Sequence, residues 1–417
     1  MSRGSRSGLP SGRTRPLVMH VTTADISLEL LIGPQLSAFA AAGYEVVGVS
    51  APGPFVEQVE ARGIEHVALG NATRSMNLGA DIAALRELVQ LFRERRPDIV
   101  HTHNPKTGVY GRIAARLAGV PVVLNTVHGL YATPGDPFAR RVAVYTAERV
   151  ASTCSQLELV QNLEDVETLR NLLVPSGKLR LLGNGVDLRR FRPDPSVRAE
   201  VRTELGLAED EVVIGAVGRL VQEKGYRELF TAWRRISVEA PSARLLVVGP
   251  SEPDKADGID ADTIAAAEAD GVRFLGMRND VDRLYQALDI YVLLSYREGY
   301  PRSAMEAAAC GLPVVATDIR GCRQVVDGGS TGLLVPSHDA DSAAAALSAL
   351  ALDPTRRAAL AAGALQRARA EFDQERVIDV TLRAYEDLLA SIGAEPPTSR
   401  AAQGQARPHR KEVHDGV

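Results

Sequence analysis

The sequence predicts an α/β protein of two Rossmann-like, doubly wound domains facing a cleft. Three observations carry that reading. The chain is 417 residues long, more than one ordinary hydrophobic core organises, so two domains are expected. Short apolar runs alternate with helix-patterned segments from residue 17 onward, the order that builds parallel sheets with crossover helices. The alternation occurs twice, and a stretch carrying Gly and Pro, from Asn184 to Pro195, separates the two series as a candidate hinge.

In the first series, LVMHVTT (17–23) reads as a buried strand followed by a helical stretch to Ala42. Gly43 ends that helix, as a residue able to adopt positive φ. YEVVGVSA (44–51) and IEHVAL (64–69) are the next strands, and Asp81 begins the amphipathic helix DIAALRELVQLFRERR, closed by Pro97. DIVHTH (98–103) is a strand whose end carries polar residues; a helix over 107–118 and the strand VPVVLNTVHG (120–129) follow. Open parallel sheets bind ligands outside the carboxyl ends of their strands, which singles out His103 and His128. The second series opens with EVVIGAVGRL (211–220) and continues through ARLLVVGP, VRFLG, IYVLLS and PVVATD, with helices near 226–239, 281–288, 303–309 and 340–350. Helical patterning resumes over 355–392, and the residues before Leu17 and after Glu395 have the composition of disordered tails.

Composition bounds the partners. Hydrophobic residues make up 45% and charged residues 24%, an ordinary globular balance, while 5% aromatic content leaves few platforms for stacking nucleic acid. The net charge of -4 is uneven: residues 1–190 hold 21 Lys+Arg against 17 Asp+Glu, and the acidic excess lies in the remainder. Cys154, Cys310 and Cys322 have no metal-ligand spacing and cannot all pair, which fits a reducing compartment without a zinc site. No apolar run approaches the ~18 residues of a membrane span, and the amino-terminal stretch lacks a signal-peptide core. A cytoplasmic location is expected, with membrane contact at most peripheral, at the inner face of the cell membrane.

Two motifs point to phosphate and sugar chemistry. GRLVQEKG (218–225) follows a strand; its first glycine admits close backbone approach, and Arg219 and Lys224 supply two cations, the arginine as a fork and the lysine as a point charge. The same residues also fit a basic surface turn. Glu298-Gly-Tyr-Pro-Arg-Ser-Ala-Met-Glu306 begins just after the strand IYVLLS, with Ser303 placed to cap a helix that carries Glu306. A helix start there suits a phosphate. The flanking carboxylates suit sugar hydroxyls, although an acidic residue near a helix start is common on its own.

These residues resemble glycosyltransferase family 4, a retaining family of the GT-B fold, over roughly residues 17–392. The Glu-(seven residues)-Glu spacing of 298/306, the GRL…EKG pair, NGVD (184–187), DIVHTH (98–103), TVHG (126–129), FLGMRNDV (274–281) and GLPVVATDIRG (311–321) carry the resemblance in order. It implies a nucleotide-sugar donor, expected to be a UDP-sugar, and transfer of a hexose or N-acetylhexosamine to a polysaccharide or polyprenyl-linked saccharide, as in capsule, exopolysaccharide and lipid-linked oligosaccharide synthesis. It makes Glu298, His128, Arg219 and Lys224 catalytic, with Arg219 and Lys224 on the donor diphosphate, Glu298 on the transferred sugar and His128 beside it. Glu306 would hold ribose, amides near Tyr300, Pro301 and Arg302 the phosphate, and Met277 and Arg278 the base through backbone groups. His103 and Lys106 would face the acceptor. TTADIS (22–27) departs from the glycine-rich turn of many relatives, which leaves Asp25 and Ser27 as acceptor candidates.

The implied organisation is a tail (1–16), an acceptor-side domain (17–188), a nucleotide-sugar-binding domain (189–372), a helix packing back towards the first domain (373–393) and a second tail (394–417). No metal or other cofactor is expected. Lys106, Arg112, Arg116, Arg140 and Arg141 read equally as solvated helix charge or as cations for anionic lipid or an acceptor pyrophosphate. The rival readings are a non-hydrolysing UDP-sugar epimerase and a non-catalytic nucleotide-sugar-binding protein. A nicotinamide dehydrogenase is disfavoured because no Gly-x-Gly-x-x-Gly follows the first strand.

Overall fold

The computed structural model describes residues 9, 11–73, 78–103, 105–133, 135–252 and 257–397. The chain divides into two compact units: residues 1–160, 165–182 and 378–417 form the first, residues 161–164 and 183–377 the second. The division therefore falls after Leu182, six residues before the boundary expected from sequence, and the segment Gln161–Glu164 counts with the second unit.

The first unit is built on β1 (Leu17–Ala24), α1 (Gly33–Ala41), β2 (Glu45–Ala51), α2 (Val56–Ala61), β3 (Glu65–Ala68), α3 (Leu78–Arg95), β4 (Ile99–His103), α4 (Pro105–Ala118), β5 (Val122–Val127), α5 (Phe138–Ala151), β6 (Leu157–Val160), α6 (Leu163–Asn171) and β7 (Leu179–Leu181). Its seven strands are parallel in the order β3-β2-β1-β4-β5-β6-β7. The order reverses between β1 and β4, and the carboxyl ends of those strands, at Ala24 and His103, flank the crevice that such a reversal leaves open. Leu17, Met19, Val21, Val47, Leu88, Phe92, Val100 and Val123 form the core against α3 and α4.

The second unit contains α7 (Pro195–Glu204), β8 (Val212–Val217), α8 (Tyr226–Glu239), β9 (Ala243–Val248), α9 (Ala261–Ala269), β10 (Arg273–Phe274), α10 (Val281–Ala287), β11 (Ile290–Leu293), α11 (Arg302–Ala309), β12 (Val314–Thr317), α12 (Arg320–Arg323), β13 (Gly332–Val335), α13 (Ala340–Leu352) and α14 (Pro354–Glu371). Six parallel strands run β10-β9-β8-β11-β12-β13, so this sheet reverses between β8 and β11. Successive strand residues alternate between two cores. Val213, Leu246, Tyr291 and Val314 face one, with Met305 and Phe372; Ile214, Val247, Val292 and Val315 face the other, with Phe230 and Trp233. Strands buried on both faces read as unbroken apolar runs, which is why the sequence displays them clearly.

Other elements escaped the pattern. β6 reads LELV because Glu158 is buried in an ion-pair network, and β7 is three residues of edge strand with partly exposed side chains. The helical stretch expected over 355–392 is two helices, α14 and α15 (Gln374–Ser391), broken where Asp373 bridges Val186 and its carboxylate accepts from the Glu375 amide at 3.0 Å. From Ile378 onward, α15 belongs to the first unit.

The tail expected over 1–16 is anchored from Ser11: its Oγ donates to Asp98 at 2.9 Å, Arg13 pairs with Glu45 at 3.0 Å, and Arg15 donates to the Gly43 carbonyl at 2.9 Å. Three polar side chains at the amino ends of the strands find charged or carbonyl partners there. The remaining tail positions 1–8 and 10, and those from 398 on, lie outside the described residues. Among the described residues, no helix is long and apolar enough to cross a membrane.

Candidate active site

In the second unit the site grows from the ends of β8 and β11, the strands at the reversal. Gly225 starts α8 with φ 72°, and a Cβ there would collide with the Leu294 carbonyl, so the turn after β8 sits directly on the end of β11. That close approach joins two residues 74 positions apart: Lys224 Nζ lies 2.5 Å from Glu298 Oε1. Ser295 Oγ donates to the same oxygen at 2.7 Å. A Cβ on Gly321 would lie 2.5 Å from the Glu298 carbonyl, so α12 braces the loop from the other side. The ion pair is mostly shielded, with side-chain exposures of 24% for Lys224 and 13% for Glu298.

Arg219 is on the same loop but turns elsewhere: Nη1 lies 2.9 Å from Glu252 Oε2, and the side chain is 44% exposed. The loop is pressed against the turn after β9, where a Cβ on Gly249 would strike the Gly218 carbonyl, and the Gly249 amide donates to the Gly276 carbonyl at 2.9 Å. The FLGMRND segment is thereby fixed through backbone. Met277 is exposed, and the Arg278 side chain is committed to Asp280 at 2.7 Å and Glu204 at 3.3 Å.

The loop before α11 is oriented by two asparagines. Asn162 Nδ2 donates to the Gly299 carbonyl and Asn184 Nδ2 to the Tyr300 carbonyl, each at 3.2 Å. In a trans peptide the amide points opposite to its carbonyl, so the first bond also aims the Tyr300 N–H. Two corrections follow for the anion site. Pro301 has no N–H, so among Tyr300, Pro301 and Arg302 only the outer two own an amide proton. α11 begins at Arg302 with Pro301 at its N-cap position, so Ser303 lies inside the first turn rather than capping it. Glu306 accepts from the Tyr285 hydroxyl at 3.1 Å, and burial raises its carboxyl above the usual range. Tyr285, Ser295, Asn162 and Asn184 have no role assigned from sequence: Tyr285, Ser295 and Asn184 lie in the expected helix near 281–288, in IYVLLS and in NGVD, and Asn162 lies in no singled-out segment.

The first unit holds the acceptor-side candidates. His128 lies just past β5 and shares a 3.0 Å contact with His103 at the end of β4. Lys106 Nζ is held 2.6 Å from Asp81, and both line a cavity of about 580 Å³ together with Ser27, Thr126, His128 and Tyr131. Asp25 is not available to a ligand in the way expected: it is 5% exposed and its carboxylate accepts from the Phe55 amide at 2.6 Å.

Arg112 is likewise no surface cation. It is fully buried, 2.6 Å from Glu148 and 2.8 Å from Glu158, whose other oxygen accepts from Asn125 at 2.9 Å. Arg112→Ala strands two buried carboxylates, so a loss of about 3–5 kcal/mol in urea unfolding is expected. A loss under ~1 kcal/mol would show that the triad carries no stability.

Residues 197–367 match the family described as glycosyl transferases group 1, and residues 32–185 match a glycosyl transferase 4-like domain. The UDP-Gal:alpha-D-GlcNAc-diphosphoundecaprenol alpha-1,3-galactosyltransferase of Escherichia coli is 33% identical over 274 residues, 64% of this chain and 70% of that protein. The capsular polysaccharide biosynthesis glycosyltransferase CapM of Staphylococcus aureus is 26% identical over 379 residues, 89% and 97% of the two chains. Among solved structures, HepE of Anabaena in complex with UDP and glucose aligns with a TM-score of 0.73 at 21% identity, over 88% of this chain and 98% of that one. Sucrose-phosphate synthase of Thermosynechococcus elongatus aligns at 0.77 and 24% identity, over 90% and 100%. At these identities the structural likeness is one of fold.

Proposed function

The chain belongs to the group 1 glycosyl transferases and is a glycosyltransferase, and from that premise we propose that it moves a hexose or N-acetylhexosamine from a UDP-sugar, with retention, to a polysaccharide or lipid-linked saccharide. The observation that carries this reading is the Lys224–Glu298 pair at the strand reversal of the second unit, beside the start of α11. A cation poised on a carboxylate, next to backbone amides, matches a diphosphate that carries a sugar. The E. coli relative acts on a diphosphoundecaprenol-linked sugar and CapM in capsule synthesis, which supports an acceptor of that class.

In the proposed step the acceptor hydroxyl adds to the anomeric carbon on the face that the diphosphate leaves. The new C–O bond forms as the old one breaks, and the hydroxyl proton passes to a diphosphate oxygen. Arg219, Lys224 and the amides at α11 balance the charge developing on the diphosphate, a preorganised electrostatic contribution. These groups supply the positive charge that the step requires, so the reaction is proposed to proceed without a metal. The first unit is assigned the acceptor. Arg140, stacked over Tyr131 at 5.0 Å, together with exposed Leu78 and Phe138, supports peripheral contact with an anionic membrane.

A thermal-shift series with UDP, GDP, ADP and their sugars tests the donor. Melting should rise with UDP and UDP-sugar and follow ligand concentration as linkage requires, with EDTA making no difference. Absence of a shift with every nucleotide would overturn the donor assignment.

A further inference from the structure

The first unit contains a buried chain of hydrogen bonds that the reaction above does not use. The HTH run puts His101 and His103 on one face of β4, because strand residues two apart share a face. His20 is the register partner of His101 on β1, so it joins them on that face. α15 covers the three rings with Tyr385, whose hydroxyl is 2.7 Å from His101 Nδ1 and 3.3 Å from His20 Nε2. His20 Nδ1 is 3.0 Å from His103 Nε2, and His103 Nδ1 is 3.0 Å from His128 Nε2. At the other end His101 Nε2 is 2.7 Å from Thr126 Oγ1. The path is thus Thr126–His101–Tyr385–His20–His103–His128, and both of its ends, Thr126 and His128, line the same cavity.

The chemistry of the groups restricts this chain sharply. Burial pushes His20 down to about 3 and holds His101 and His103 well below the usual histidine range, so these rings are neutral. A neutral imidazole has one N–H and one lone pair, and each contact needs one proton. Suppose Thr126 donates to His101. Then His101 Nδ1–H donates to Tyr385, Tyr385 to His20 Nε2, His20 Nδ1–H to His103, and His103 Nδ1–H to His128. Every ring then carries its proton on Nδ1. If the direction reverses, every ring carries it on Nε2. A mixed state leaves a buried donor or acceptor without its partner, which the interior penalises because no water replaces the lost bond.

We propose that these six side chains form one tautomeric relay, in which His20, His101, His103 and His128 share a single tautomer and Tyr385 is the positioning residue that couples them. The relay decides whether the remaining nitrogen of His128 presents an N–H or a lone pair, and a group bound at Thr126 changes what His128 offers. Its bearing on sugar transfer rests on the place beside the transferred sugar that the family resemblance implies for His128, whereas the shared tautomer does not.

The test is a long-range proton–nitrogen correlation spectrum of the full chain labelled with ¹⁵N-histidine, at neutral pH. His20, His101 and His103 should be neutral, and all four rings should show one common tautomer. Thr126→Val, which removes the donor and acceptor facing His101 Nε2, should drive all four to the Nδ1–H form, because a stranded lone pair is cheaper than a stranded N–H. Tyr385→Phe should uncouple His101 from the other three. It should also lower kcat for transfer by roughly tenfold without changing KM for the donor. Mixed tautomers in the wild type, a charged ring among the four, or a metal ion retained stoichiometrically by His20, His101 and His103 would each overturn the relay. An inactive protein showing the common tautomer would overturn the proposed reaction and leave the relay standing.

Discussion

Glu298→Gln is expected to lower kcat for sugar transfer by roughly 10²- to 10³-fold, the loss typical of one preorganised polar group at a reacting centre. The substitution keeps the shape of the side chain, and Ser295 can still donate to the amide oxygen as it does to the carboxylate at 2.7 Å. What disappears is the charge 2.5 Å from Lys224 and one acceptor for the sugar hydroxyls. The sign of the effect on binding is opposite to that on turnover. Taking a negative charge away from the diphosphate site leaves Lys224 freer to meet phosphate, so UDP should bind as well as before or more tightly. Steady-state kinetics alongside calorimetry of UDP separates the two. Wild-type turnover would remove Glu298 from the reaction, and a large loss of UDP affinity would recast it as a residue that holds the loop together.

Much of this site was legible because its backbone requirements leave marks on sequence. Gly225 and Gly321 stand where a Cβ would strike a neighbouring loop, and Lys224 and Glu298 follow strands whose apolar runs are unbroken. The reversal of strand order cannot be read from any one segment, yet once strands and helices alternate it follows from the fold class. The parts that stayed hidden are of another kind. Glu158 in β6 and Arg112 in α4 look like surface charges, and only the packing of α4, α5 and β6 makes them a buried set. Tyr285 reaches Glu306 from a helix 21 residues earlier, and Tyr385 reaches His101 across 284 residues. No local pattern announces such a pairing. Asp25 failed for a related reason: a carboxylate near a strand end suits a ligand and the Phe55 amide equally, and distance decides.

Replacing both cations, Arg219→Ala with Lys224→Ala, should weaken UDP binding by roughly 10²- to 10⁴-fold. Each charge-assisted hydrogen bond to phosphate contributes about 1.5–3 kcal/mol, and two of them account for that range. The structure makes the two contributions unequal. Arg219 is 44% exposed and is paired with Glu252, so solvent screens it and it must exchange one anion for another. Lys224 is shielded to 24% exposure beside Glu298, so its field on a bound phosphate is stronger. The single Lys224→Ala variant is therefore expected to account for most of the loss. That variant also leaves a shielded carboxylate unpaired next to the site, which adds repulsion to the missing attraction. Adding Glu298→Gln to the double variant cancels the repulsion and should restore part of the affinity, a recovery that a merely unfolded site would not show. Uridine, which has no phosphate, supplies the control: its weak binding should be the same in all variants. Calorimetric affinity for UDP that is unchanged in the double variant would mean that the diphosphate lies elsewhere, and the Lys224–Glu298 pair would then be a structural clamp between the loops after β8 and β11.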